Sequence, residues 1–159
     1  MVESSTARVL QALIVQDEIA RGLPLPSYGY PGDACRDIPT AVRAVIPAFS
    51  GADVRTGLRL VPPPGYYFRI VGKGSSAFVG LFFALEIIDP TYRGEVILYP
   101  WNASPKDVVV ERGRSIAQLE LLPITRYEWN KIDIGQLDKT ERDQGRMDST
   151  KTGILSQSS

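Results

Sequence analysis

All twelve prolines of the 159-residue chain fall between Pro24 and Pro123. A proline has no amide hydrogen, and its ring collides with the carbonyl four residues back. That spacing therefore forbids long helices over most of the chain. Short apolar runs sit between the prolines, among them AVRAVIP, RTGLRLV, GYYFRIVG, GLFFALEIID, GEVILYPWN, DVVVERG and SIAQLELLPI. Val54-Thr56-Leu58-Leu60 and Tyr67-Arg69-Val71 alternate with the period of a strand. Gly, Pro, Asn and Asp punctuate the runs at strand-plus-turn intervals, which predicts an all-β barrel or sandwich of short strands with at most one or two short helices. RVLQALIVQDEIA fits either a first strand or a short helix, and SSAFVGLF fits one short helix. Residues 1–127 read as one β domain. Residues 128–159 are polar, charged and poor in core residues, and read as a flexible C-terminal tail.

Several function classes drop out on composition. Eighteen acidic residues balance eighteen basic ones, so no global charge points to nucleic acid or to a membrane surface. No apolar run approaches the length of a membrane span. The opening MVESSTARVL carries an acid where a signal peptide has bases, which predicts a soluble, cytoplasmic protein. Cys35 is the single cysteine, which excludes an internal disulfide and a thiolate zinc cluster. There is no histidine, so Ser-His-Asp triads, His-ligated zinc and imidazole acid–base chemistry are excluded together. Catalysis is left to carboxylates, Lys, Arg, Tyr, hydroxyls, a bound ion or water. Asn102 heads a formal glycosylation sequon, NAS, which carries no meaning without secretion.

One carboxylate is placed oddly. In EIIDPTYRGEVILY, Asp89 closes the apolar pair Ile87-Ile88 and is followed at once by Pro90. The proline fixes its own φ and biases Asp89 toward extended backbone, so the carboxylate is held at a strand end. Tyr92 can present a ring beside it, and Gly94 lets another chain or a ligand come close to the backbone. A positioned carboxylate beside a flat ring can activate a water next to a sugar. Taken alone, the stretch reads first as an Asp-Pro turn joining two strands, with Tyr92 packed on the sheet.

The stretches LPLPSYGYPGDACRDI, GLRLVPPPGYYFRI, IIDPTYRGEV and RGRSIAQLELL follow one another in that order. Together they resemble the trimeric dUTPase family (deoxyuridine 5'-triphosphate nucleotidohydrolases), nearest to its bacterial-type members. The likeness runs from Leu23 to Pro123 and continues more loosely into the tail. It implies a dUTPase-like β-barrel or jelly roll, hydrolysis of dUTP to dUMP and pyrophosphate, a Mg²⁺ cofactor, and a homotrimer with shared sites.

The resemblance assigns residues motif by motif. The family's A-G-x-D-L is here Ala34-Cys35-Arg36-Asp37-Ile38, so Asp37 matches the acid that holds Mg²⁺ through its water shell. Cys35 stands where the family has glycine, which requires a negative φ there. The family's R-S-S falls in VGKGSSAFVG. One register puts Lys73 at the Arg and Gly74 and Ser75 at the serines; a one-residue slip aligns Ser75 and Ser76 instead. Asp89 matches the acid that deprotonates the attacking water, and Tyr92 the ring that packs on deoxyribose. The hairpin before that acid, GLFFALEII, reads uracil through its main chain in the family, Ile87 included, and Glu86 replaces a usual glycine. G-D-R-x-A-Q-L appears as Gly113-Arg114-Ser115-Ile116-Ala117-Gln118-Leu119. Gln118 matches the donor to the phosphate chain, while the Asp-Arg pair has become Arg114-Ser115. The fifth motif is degenerate: RDQGRMDSTK places Arg142 on the terminal phosphate, Met147 where a phenylalanine covers uracil, and Ser149 in its family position. Asp148 replaces a glycine.

These substitutions admit a second reading, a catalytically impaired dUTPase-fold module that senses nucleotide or binds a protein. A third is a dCTP deaminase-like enzyme using Glu86, though IIDPTYRGE fits the dUTPase pattern better.

Overall fold

The apolar runs resolve into thirteen short strands in a computed structural model that describes residues 9–140. In chain order these are β1 Leu13–Gln16, β2 Arg36–Pro39, β3 Ala44–Ile46, β4 Ser50–Gly51, β5 Val54–Arg55, β6 Leu58–Val61 and β7 Tyr66–Gly72. A single short helix, α1 Gly74–Phe78, follows. Then come β8 Leu81–Phe83, β9 Glu86–Ile88, β10 Ile97–Leu98, β11 Pro100–Asn102, β12 Val108–Val110 and β13 Ser115–Pro123. All pairings are antiparallel, which suits strands joined by Pro- and Gly-rich turns. The largest sheet has the order β2-β13-β7-β9; a second runs β4-β11-β8; and β1-β6, β10-β5 and β12-β3 pair in twos.

The chain divides after Thr125 into two compact units. The core of the first takes one or two side chains from most strands: Ile38, Ile46, Val54, Leu58, Phe68, Ile70, Leu81, Ile88, Leu98, Val110 and Leu119 are all buried. Each fully buried side chain of this kind contributes about 1.5–3 kcal/mol relative to exposure. In the second unit, as far as Thr140, Tyr127 and Trp129 meet edge to face at 5.3 Å, and Asp133 N–H donates to Gln136 Oε1 at 2.9 Å at a 3-10 turn, Ile134–Gln136.

Polar groups inside the first unit are paired. Thr56 donates its hydroxyl to Val96 O at 2.5 Å and accepts from Leu58 N at 3.2 Å. Asn102, wholly buried, donates to Ile46 O at 3.0 Å and Lys106 O at 2.8 Å and accepts from Ser104 N at 2.9 Å. The sequon asparagine is thus a structural cross-link between β3 and the turn after β11.

Two ambiguous stretches are decided by packing. Within RVLQALIVQDEIA, Leu13–Gln16 form strand β1, paired with β6, and a 3-10 turn follows over Glu18–Ala20. SSAFVGLF begins as helix and ends as strand, with α1 stopping at Phe78 and β8 starting at Leu81. GLFFALEII differs from expectation. β8 pairs with β11 and β9 with β7, so the stretch turns a corner between two sheets and does not close as a hairpin. Leu81 faces the core beside Asn102 and Ile88 faces it beside Phe68, which draws the two strands apart and leaves Ala84 and Leu85 exposed at the bend. Among the described residues no helix is long and apolar enough to cross a membrane.

Candidate active site

The outer face of the four-stranded sheet brings together residues far apart in the chain. Along β7, Phe68 and Ile70 point to the core, so Arg69 and Val71 point out. Val71 pairs with Gln118 on β13, and Gln118 with Asp37 on β2. Lys73 lies two residues past Val71, at the N-cap of α1. Its ammonium forms an ion pair with Asp37 Oδ2, and Gln118 Nε2 donates to Asp37 Oδ1 at 2.9 Å. Burial alone would raise the Asp37 carboxyl, but the hydrogen bonds from Lys73 and Gln118, with the Lys73 charge, hold it below its ordinary value.

Asp37 and Lys73 stand at a cavity of about 570 Å³, whose lining also includes Ser75, Ser76, Arg114 and Ser115; Gln118 reaches it through its bond to Asp37. The two serines differ. Ser76 is buried and donates its hydroxyl to Ile116 O at 2.8 Å, whereas Ser75 is exposed and lines the cavity. Gly74 opens α1, and an added Cβ there meets nothing. Cys35 is not in the left-handed region, since Phe49 is the non-glycine residue with positive φ among those described.

Asp89 sits elsewhere. β9 buries Ile88 and turns Ile87 outward, and Asp89 follows as an exposed residue outside the Asp37 cavity. Its turn is held firmly. Tyr92 N–H donates to Asp89 O at 3.0 Å, and Tyr92 Oη donates to Glu95 O at 2.9 Å. Glu95 is clamped by the Arg55 guanidinium at 2.7 Å and by Gly57 N–H at 2.9 Å. Burial would raise the Glu95 carboxyl, and the Arg55 and Gly57 hydrogen bonds hold it low. The expectation that Gly94 admits another chain or a ligand is corrected. Its space is taken by Tyr92 itself, because a Cβ at Gly94 would lie 2.5 Å from Tyr92 Cζ. Glu86, on the core side of β9, accepts from Tyr99 N–H at 3.3 Å, and its partial burial raises its carboxyl.

The ladder measures the gap between the two acids. Asp37 shares a row with Val71, whereas the last pair of β9 is Ile88 with Phe68, three rows along and three strands across. At about 3.3 Å per residue and 4.8 Å per strand, Asp89 lies roughly 20 Å from Asp37 within one chain. Arg142, Met147 and Ser149 fall outside the described residues. No cluster of three His, Cys, Asp or Glu side chains suited to a metal occurs among the described residues. Arg114 lines the Asp37 cavity although the motif match gave it no ligand; the signal available was its charge beside Gly113.

A family model described as dUTPase matches residues 21–151. The chain belongs to the dUTPase family. Among its curated relatives, the deoxyuridine 5'-triphosphate nucleotidohydrolase of Anaplasma marginale (strain St. Maries) is 34% identical over 149 residues, covering 91% of this chain and 100% of that protein. The enzyme of the same name from Dictyoglomus turgidum is 31% identical over 144 residues, covering 86% and 97%. Among solved structures, a point mutant of the Staphylococcus bacteriophage 80alpha dUTPase with dUpNHpp superposes with a TM-score of 0.76 at 18% identity, covering 87% of this chain and 97% of that one. A mutant dUTPase from phage phi11 of S. aureus, described with a structural Mg(II) ion, gives 0.68 at 17% identity, covering 77% and 97%. The short antiparallel strands of this chain thus have the dUTPase jelly-roll arrangement.

Proposed function

We propose that this dUTPase-family protein hydrolyses dUTP to dUMP and pyrophosphate. The observation that carries the reading is the meeting of Asp37, Lys73 and Gln118 beside one cavity, three motif residues drawn from β2, the N-cap of α1 and β13. Asp89 takes a proton from water and aims it for in-line attack on the α-phosphorus. The bond from that phosphorus to the bridging oxygen breaks, and pyrophosphate leaves. Lys73, Ser75, Gln118 and, from the tail, Arg142 and Ser149 position the phosphates. The exposure of Ser75 at the cavity and the engaged hydroxyl of Ser76 favour the register that matches Lys73, Gly74 and Ser75. Tyr92 packs on the deoxyribose and excludes a 2'-hydroxyl, main-chain groups around the β8–β9 bend through Ile87 read uracil, and Met147 covers the base. Most of the acceleration comes from fixed geometry and preorganised charge.

Asp37 is the lone carboxylate lining its cavity, and no three-ligand metal cluster accompanies it among the described residues. That set does not cage a cation, but it fits an acid contacting the water shell of a Mg²⁺ ion that arrives on a triphosphate. Held there, a Mg²⁺ ion would supply charge neutralisation on the leaving pyrophosphate, with Asp37 contacting its water shell.

The roughly 20 Å between Asp37 and Asp89 exceeds what one triphosphate and a water can bridge. It favours sites shared between chains, with Asp37 from one copy and Asp89 from another, in a homotrimer. Mixing Asp37→Asn and Asp89→Asn chains, each inactive alone, is then expected to restore about a quarter of the wild-type rate after random trimer exchange. Activity that stays at background on mixing refutes the shared site, and no pyrophosphate release from dUTP by wild-type protein refutes the activity.

A further inference from the structure

We propose that Arg114 grips the phosphates that leave as pyrophosphate, supplying the guanidinium that the phosphate loop of this chain lacks. The inference deepens the dUTP-hydrolysis reading and rests on it. The titratable side chains lining the Asp37 cavity are Asp37, Lys73 and Arg114. Asp37 and Lys73 are ion-paired with each other, so their charges cancel locally. Arg114 carries the uncompensated charge, and an entering polyanion meets it first.

Its availability stands out against the other arginines. Among the described residues of the first unit, Arg21, Arg43, Arg55, Arg59 and Arg69 are ion-paired to carboxylates. Arg36 lies over the Tyr28 ring and donates to Pro26 O, while Arg93 and Arg112 donate to main-chain carbonyls. The Arg114 guanidinium has no such partner among the described residues. Its backbone is nonetheless anchored. Arg114 N–H donates to Glu111 O at 3.1 Å, Thr40 N–H donates to Arg114 O at 2.9 Å, and Gly113 before it adopts φ +83°. A fixed main chain with a free guanidinium suits capture of a ligand from solution.

The chemistry fits the exchange. An ammonium meets phosphate as a point charge, whereas a guanidinium forks onto two oxygens. Lys73 stands at the family's Arg position and shares its charge with Asp37, while Arg114 occupies a position where the family motif carries an acid. One cation has been weakened and another added on the same cavity.

Arg114→Gln and Arg114→Lys test this, with inhibition by pyrophosphate and by dUMP measured separately. Arg114→Gln is expected to raise KM for dUTP and to weaken pyrophosphate inhibition about ten- to hundredfold. Inhibition by dUMP and the thermal midpoint stay within error, and Arg114→Lys recovers part of the loss. Equal weakening of pyrophosphate and dUMP, or no change in either, overturns the assignment. Calorimetric binding of pyrophosphate to wild type and Arg114→Gln gives an independent reading. If wild-type protein fails to hydrolyse dUTP but the Gln variant alone loses pyrophosphate, the activity falls and the anion site stands. Equal pyrophosphate affinity in both overturns the site itself.

Discussion

Gln118 stands directly across the β2–β13 ladder from Asp37 and donates its side-chain amide hydrogen to Asp37 Oδ1 at 2.9 Å. The other carboxylate oxygen is held by Lys73. The amide orients the acid without adding charge, and the ammonium keeps it ionised.

The low pKa of Asp37 has a stability consequence. Burial opposes it, but the Lys73 and Gln118 hydrogen bonds win, so the folded value lies below the unfolded one. The contribution is therefore present above about pH 4 and is lost as pH falls through the folded value. Denaturant titrations of wild type and Asp37→Asn are expected to differ at pH 6 and to converge as the pH drops toward the folded value. In Lys73→Met, the Asp37 carboxyl should titrate at higher pH by carbon-detected NMR.

Asp89 is exposed, and its side chain carries no core packing. Asp89→Asn is expected to lower kcat for dUTP about a hundred- to ten-thousandfold, the range for loss of a general base, while the melting temperature stays unchanged. Steady-state pyrophosphate release and a thermal scan on the same sample check both halves.

Gly94→Ala places a methyl where the Tyr92 ring lies, 2.5 Å from Cζ. The ring can swing into solvent, so stability should change little, but the Tyr92 Oη bond to Glu95 O is lost. The discrimination of dUTP over UTP, as a ratio of kcat/KM values, is expected to fall by about tenfold or more. An unchanged ratio would show that Tyr92 does not exclude the 2'-hydroxyl.

Asn102→Ala strips three hydrogen bonds from a buried site; Lys106 O keeps its bond from the Ser104 hydroxyl, but the Ile46 carbonyl and the Ser104 amide each lose a partner. The expected loss is about 2–3 kcal/mol of unfolding free energy, read from the urea midpoint at unchanged slope.

Much of the fold was legible because its causes are local. Proline spacing excluded long helices, and the Val54-Thr56-Leu58-Leu60 alternation places four buried residues along β5, β6 and the link between them. GLFFALEII misled because a strand, a bend and a strand look alike whether the strands pair with each other or with β11 and β7. Periodicity names the face of a strand, never its partner. The same limit hid the occupant of the space beside Gly94, which is the ring two residues earlier.

By itself the amino-acid order determined which chemistry was possible. A chain without histidine and with one cysteine must work through carboxylates, cations and hydroxyls, and its motif spacing marked Asp37, Lys73, Asp89, Tyr92 and Gln118. Only the tertiary structure decided that Asp37 and Gln118, 81 residues apart, share a row with Lys73 beside them, that the Ser76 hydroxyl is spent on Ile116, and that Arg114 is left free at the same cavity. The reason is physical. Turn chemistry and strand period are written in neighbouring residues, but ladder register is chosen by which faces bury together in the core, a choice that spans the whole chain.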